Sequence, residues 1–219
     1  EAPRGSGVGN EAFPEPASGS RLDAGELAER FGLHLWYVPS MRNGSGPGPD
    51  GRAEDRGNAI LSTLPLDDLV VIELPFFGQR RAAQLATLHG TTRTGQQWTV
   101  QAGNVHFDIG QVGPSALSAG RARQARAMAL AVDSGAVVVA GDLNAFAIFG
   151  TPAPVKELRE AFPDTRQGDE LPTFKGRRVD YQFYRTPPGY LARPYRRLDD
   201  DFGSDHYPLL GWMVFSGER

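Results

Sequence analysis

The sequence predicts an α+β protein whose layers are β-sheets with helices packed outside. Three observations carry that expectation. Strand-like apolar runs outnumber helices, Ser115 to Val132 reads as one long alanine-rich helix, and Ala136-Val137-Val138-Val139-Ala140 reads as a strand buried on both faces. That last run breaks into Gly141-Asp142-Leu143-Asn144, fixing a carboxylate and a carboxamide where a rigid strand leaves the core. On an extended segment the two side chains would point the same way and grip one ligand: a water, a metal or a phosphate.

Residues 1 to 20 are rich in Gly, Pro, Ser and Ala without an apolar period and read as a loop. Asp23 and Glu26 form a capping-box pattern that starts a short helix from Ala24 to Phe31, and Leu33 to Val38 follows as a strand. The glycine-rich Asn43 to Gly57 is an exposed loop. Strands are expected at Asn58 to Leu61, Leu69 to Leu74, Arg81 to His89 and Gln97 to Phe107, the last two joined by a hairpin connection at Gly90 to Gln96. The helix at Ser115 to Val132 carries Leu117, Met128, Leu130 and many alanines, with Arg121, Arg123 and Arg126 on its wetter side. Val155 to Phe162 reads as a helix, Val179 to Tyr184 as a strand, and Pro208 to Phe215 as a closing strand.

A chain of 219 residues with ordinary hydrophobic content suits one domain with a sizeable core. Its net charge of -3 leaves no global electrostatic case for nucleic-acid binding. Zero cysteines exclude disulfides and thiolate metal sites, but they leave the compartment, cytoplasmic or secreted, open. No apolar stretch approaches the ~18 residues needed to span a membrane, and no obligate protein partner is evident.

Four polar clusters end apolar strands: Asn104 to Asp108, Gly141 to Asn144, Arg178 to Tyr181, and Gly203 to Pro208. Singly, each has an ordinary structural explanation. Asp180 could pair with Arg177 or Arg178, Asp142 could close a turn, Asp205 could form an Asx turn, and His106 and His206 could decorate strand ends. Together they suit phosphoester hydrolysis, which needs a cation, a base for water, and donors that follow the developing charge. Oxygen ligands without cysteine favour magnesium, with manganese or calcium as alternatives.

In this order the motifs resemble the endonuclease/exonuclease/phosphatase superfamily, also called deoxyribonuclease I-like. The resemblance rests on Gly57-Asn58-Ala59-Ile60-Leu61-Ser62 with Pro65, Asn104-Val105-His106, Arg123-Gln124, Gly141-Asp142-Leu143-Asn144, Val179-Asp180-Tyr181 and Ser204-Asp205-His206-Tyr207-Pro208. It implies two packed mixed β-sheets flanked by helices, with a site at the loops along one edge. It also implies roles. Asp142 orients or deprotonates the attacking water, and Asn144 holds that water or the phosphate. His206 stabilises the phosphoryl charge, Asp180 fixes and charges His206, and His106 contacts the phosphate from the other side. Asp205 lies at or near a divalent metal, and Glu1 sits where the family places its principal metal-binding glutamate. The chain would then lack the family's first strand and most of its second, leaving one sheet without a central strand and this chain alone weakly active or inactive. Where many relatives pair the first histidine with a glutamate, this chain offers Gln79, so His106 is expected to be less firmly charged. The implied substrate is a phosphoester, whether a small molecule, a lipid head group or nucleic acid. Asn58 to Ser62 looks more like the phosphodiesterase and lipid or sugar phosphatase branches than the abasic-DNA repair branch. A nuclease, or a non-catalytic binding module on the same scaffold, is the alternative.

Overall fold

The computed structural model describes residues 24–42, 55–109, 114–147, 150–166, 168 and 171–216. The loop expected over residues 1 to 20, the capping residue Asp23 and most of the Asn43 to Gly57 loop lie outside them. In chain order the elements are α1 (Ala24–Phe31), β1 (His34–Arg42), β2 (Asp55–Ser62), β3 (Asp67–Glu73), β4 (Ala82–Thr91), β5 (Gln97–His106), α2 (Pro114–Leu130), β6 (Val137–Asp142), α3 (Ala153–Ala161), β7 (Asp180–Arg185), β8 (Tyr190–Arg197) and β9 (Leu209–Phe215).

β3 to β7 form one five-stranded sheet in sequence order. Its pairings are antiparallel except β5 with β6, which run parallel because α2 carries the chain back between them. One face of this sheet is covered by α2 and α3. Leu85, Val105, Val137, Val139, Tyr181 and Phe183 meet Ala125, Met128, Val155 and Leu158 there in the main core. On the other face lie two antiparallel pairs, β1 with β2 over β4 and β5, and β8 with β9 beside β7. Trp36 and Val38 pack on Ala82 and Ala86 at one end, while Tyr184, Ala192 and Tyr195 gather around Val138 at the other. The expected mixed sheets with flanking helices are therefore present, with the second layer built from two separate pairs among the described residues. β6 is fully buried toward the helices and half-buried on its other side, so its predicted two-sided burial holds on one face only.

Two further expectations are corrected. Arg121 is not on the solvated side of its helix: it is buried, and its Nε donates to the Asp108 carbonyl at 2.7 Å, while Arg123 and Arg126 are exposed. A chain turn tucked under the helix claims Arg121, and helical spacing alone does not reveal it. β8 was not expected, because Pro194 and the three arginines around it, Arg193, Arg196 and Arg197, break the strand pattern. Only Ala192 and Tyr195 are buried in it, and its register with β9 shifts between Arg193 and Arg196, around the proline that has no N–H to donate.

Gly141 is the tightest point of the central sheet. Its φ is +147°, and a Cβ there would overlap the Val105 carbonyl oxygen of β5. Gly141→Ala should lower the free energy of unfolding by about 3 kcal/mol or more, read from the midpoint shift in a denaturant titration. A shift worth less than about 1 kcal/mol would show that the strand pair can relax around a methyl group.

Candidate active site

Strand register assembles the site. In the parallel pair His106 lies opposite Asp142, and in the next, antiparallel pair Asp142 lies opposite Asp180. Three polar residues on three neighbouring strands therefore form one row across the sheet end, on the face turned away from α2 and α3. His106 Nε2 stands 3.5 Å from Asp142 Oδ2, and His206, from the loop before β9, brings Nδ1 to 2.8 Å from Asp180 Oδ2.

The chain does not stay extended past Asp142, as the sequence expectation assumed. Leu143 turns into the core, and Asn144 takes a left-handed conformation at φ +48° that asparagine tolerates. Its backbone N–H donates to Asp142 Oδ1 at 2.6 Å, and its side-chain Nδ2 donates to the Phe107 carbonyl at 2.9 Å. Asp142 thus closes a turn and also faces the row, while the Asn144 amide clamps the end of β5 to the end of β6.

Burial, reinforced by Asp180, pushes the Asp142 carboxyl up to about 6, against the pull of the Asn144 N–H, His206 and Arg81. His106 moves the other way, down to about 4, because burial and the nearby Arg81 and His206 charges disfavour its cation. At neutral pH His106 is therefore an uncharged ring. Gln79 does not pair with it: its Oε1 accepts from Arg81 Nη2 at 3.1 Å.

Several supporting residues escaped the sequence. Thr173 is fully buried, and its Oγ1 accepts the N–H groups of Val179 and Asp180 at 3.1 and 3.2 Å. Its carbonyl accepts the Tyr207 N–H at 2.9 Å. Phe174 bridges to Arg177 and His206 through the backbone, and its ring stacks on the His206 imidazole with centroids 4.5 Å apart. Lys175 and Gly176, both at positive φ, turn this short hairpin. The signal was available in Phe174-Lys175-Gly176-Arg177, a two-residue turn between strand-like ends. Behind the row, Asp108 is fully buried and accepts the Gly78 and Gln79 N–H groups at 2.7 Å each, while Gln124 bonds both the Asp108 N–H and the Pro75 carbonyl.

Asp142, Asp180 and His206 place one ligand atom each within 4.8 Å of one another. Two carboxylates, one of them buried enough to resist ionisation, and an imidazole fit a divalent cation that prefers oxygen. Asp205 is exposed and stands outside this group, and Glu1 lies outside the described residues. No described helix is long and apolar enough to cross a membrane.

A family model described as "Endonuclease/Exonuclease/phosphatase family" matches residues 10–206. No curated protein matches. Among solved structures, the endonuclease/exonuclease/phosphatase from Beutenbergia cavernae is 22% identical, with a TM-score of 0.63 over 92% of this chain; the match spans 60% of that protein's chain. The human Nocturnin catalytic domain, solved with bound sulfate, is 18% identical with a TM-score of 0.60, covering 86% of this chain and 74% of that one. The endonuclease/exonuclease/phosphatase from Bacteroides vulgatus is 16% identical with a TM-score of 0.55, covering 86% and 87%. At these identities the likeness is one of fold.

Thr173→Val, which keeps the shape but removes the shared acceptor, should cost about 1–3 kcal/mol in denaturant unfolding. A loss below about 0.5 kcal/mol would mean that the Val179 and Asp180 N–H groups find another acceptor.

Proposed function

Because this chain belongs to the endonuclease/exonuclease/phosphatase family, we propose that it is a metal-dependent phosphoester hydrolase, a phosphodiesterase or phosphatase. The observation that carries this is the row of His106, Asp142 and Asp180 with His206 bonded to its end. It joins a base and two histidine donors at one sheet edge.

Asp142 is the base. With its carboxyl raised to about 6 it is still ionised at neutral pH, yet basic enough to orient and deprotonate a water. Asn144 is anchored through its amide nitrogen, which leaves its carbonyl oxygen to accept from that water or position the phosphate. Asp180 holds His206 through Nδ1, so Nε2 is the edge that stabilises charge building on the phosphoryl oxygens. Phe174 keeps the His206 ring in that plane. His106, uncharged, donates one N–H toward the phosphate from the opposite side. Glu1 and Asp205 are the carboxylates assigned to the divalent cation, magnesium by its oxygen preference, and the group of Asp142, Asp180 and His206 is committed to the water and to the Asp180–His206 bond. The cation, when bound, offsets the negative charge that otherwise repels a nucleophile.

In the full-length protein, bis(4-nitrophenyl) phosphate hydrolysis should stop on chelation and return with magnesium. Asp142→Ala and His206→Ala should each lower turnover at least about 100-fold without shifting the unfolding midpoint appreciably. Equal rates with and without chelator would remove the metal from the mechanism, and near-normal turnover in either variant would remove that residue's role.

A further inference from the structure

A cavity of about 470 Å³ lies at the sheet end that carries the catalytic row, on the α3 side of the sheet, and the chemistry above makes no use of it. Its walls continue catalytic segments. Phe146 lies two residues past Asn144, Tyr181 follows Asp180, and Arg177 closes the hairpin whose Phe174 stacks on His206. With consecutive Cα atoms ~3.8 Å apart, Phe146 and Tyr181 stay within about 8 Å of the Asn144 and Asp180 backbones. The back wall belongs to α3, through Val155 and Arg159.

Among the described residues the charge of this cavity is one-sided. Arg159, Arg177 and Arg178 line it, and no carboxylate does so among the described residues. Neither Arg159 nor Arg177 has an ion pair among those residues. The Arg177 guanidinium lies over the Phe146 ring, 4.3 Å from its centroid, which uses its face and leaves its edge of N–H donors for a ligand. Arg178 is braced against the Tyr181 and Tyr195 rings at 4.8 and 5.5 Å, and it bonds the Tyr195 hydroxyl. Cations that share a half-enclosed space repel one another, and a bound anion relieves that repulsion.

We infer that this cavity receives an anionic group, phosphoryl or carboxylate, carried by the part of the substrate that is not cleaved. Preferred substrates are then phosphoesters with a second negative group beyond the scissile one. The inference rests on the phosphoester-hydrolase reading of the neighbouring row. Arg159 and Arg177 take the group's oxygens through charge-assisted hydrogen bonds, Arg178 adds to the field, and Phe146 keeps Arg177 in place.

The test compares three 4-nitrophenyl phosphodiesters whose second alcohol ends in a methyl, a carboxylate or a phosphonate group. The wild-type protein should favour an anionic ester over the methyl one by about tenfold or more in kcat/KM. The larger gain identifies carboxylate or phosphoryl as the natural group. Arg159→Gln and Arg177→Gln should each shrink that preference, and the double variant should bring it close to one. Calorimetric titration with the phosphonate-bearing alcohol alone supplies a readout without hydrolysis: Asp142→Asn should bind it like wild type, and Arg177→Gln about tenfold more weakly. An unchanged preference in the double variant overturns the inference, as does no binding to wild type or equal binding to wild type and Arg177→Gln. If phosphonate binding depends on the arginines but no ester is hydrolysed, the anion site stands and the hydrolase reading falls.

Discussion

Everything at the sheet edge depends on one constraint, the register that sets His106 against Asp142 and Asp142 against Asp180. Side chains alternate along a strand, so a slip of one residue in either pairing would turn one member of the row toward the helices. Apolar packing on the opposite face prevents that slip. Val105, Val137, Val139, Tyr181 and Phe183 must all face α2 and α3 for the core to close, and the polar row is what remains on the other side. The burial that fixes the register also desolvates Asp142 and His106, so position and proton affinity have one cause.

A second layer of polar contacts holds the strand ends in the shape the row requires. Asn144 ties the end of β6 to Phe107, and Asp108, just beyond, gathers the Gly78 and Gln79 amides. Gln124 reaches from α2 to bind the same corner. Thr173 does equivalent work under Asp180, and Phe174 under His206. These buried groups are satisfied by one another, so removing one leaves a partner without a bond in a place water cannot easily reach.

The sequence carried the row's members and most strands because each polar cluster follows an apolar run, and that boundary is visible as composition. Asp142, Asp180, His106 and His206 were legible for that reason. The path after Asp142 was not, since a left-handed Asn144 is a tertiary choice stabilised by the Phe107 carbonyl on another strand. Nor was Arg121, whose burial depends on the Asp108 turn lying beneath it. Thr173 was not legible either, because the groups it satisfies lie six and seven residues away across a hairpin. β8 was hidden by Pro194 and its arginines, which suit a strand packed on one side only.

The parallel pairing of β5 with β6 also bears on how the molecule assembles. A hairpin can bring its strands together locally, but His106 and Asp142 meet only after α2 has crossed over and packed on the sheet. Before that closure the Asp142 carboxylate is an ordinary hydrated acid, and its raised proton affinity does not yet exist. The raised proton affinity of Asp142 is therefore a product of the closed sheet. It vanishes with the first opening that separates these two strands.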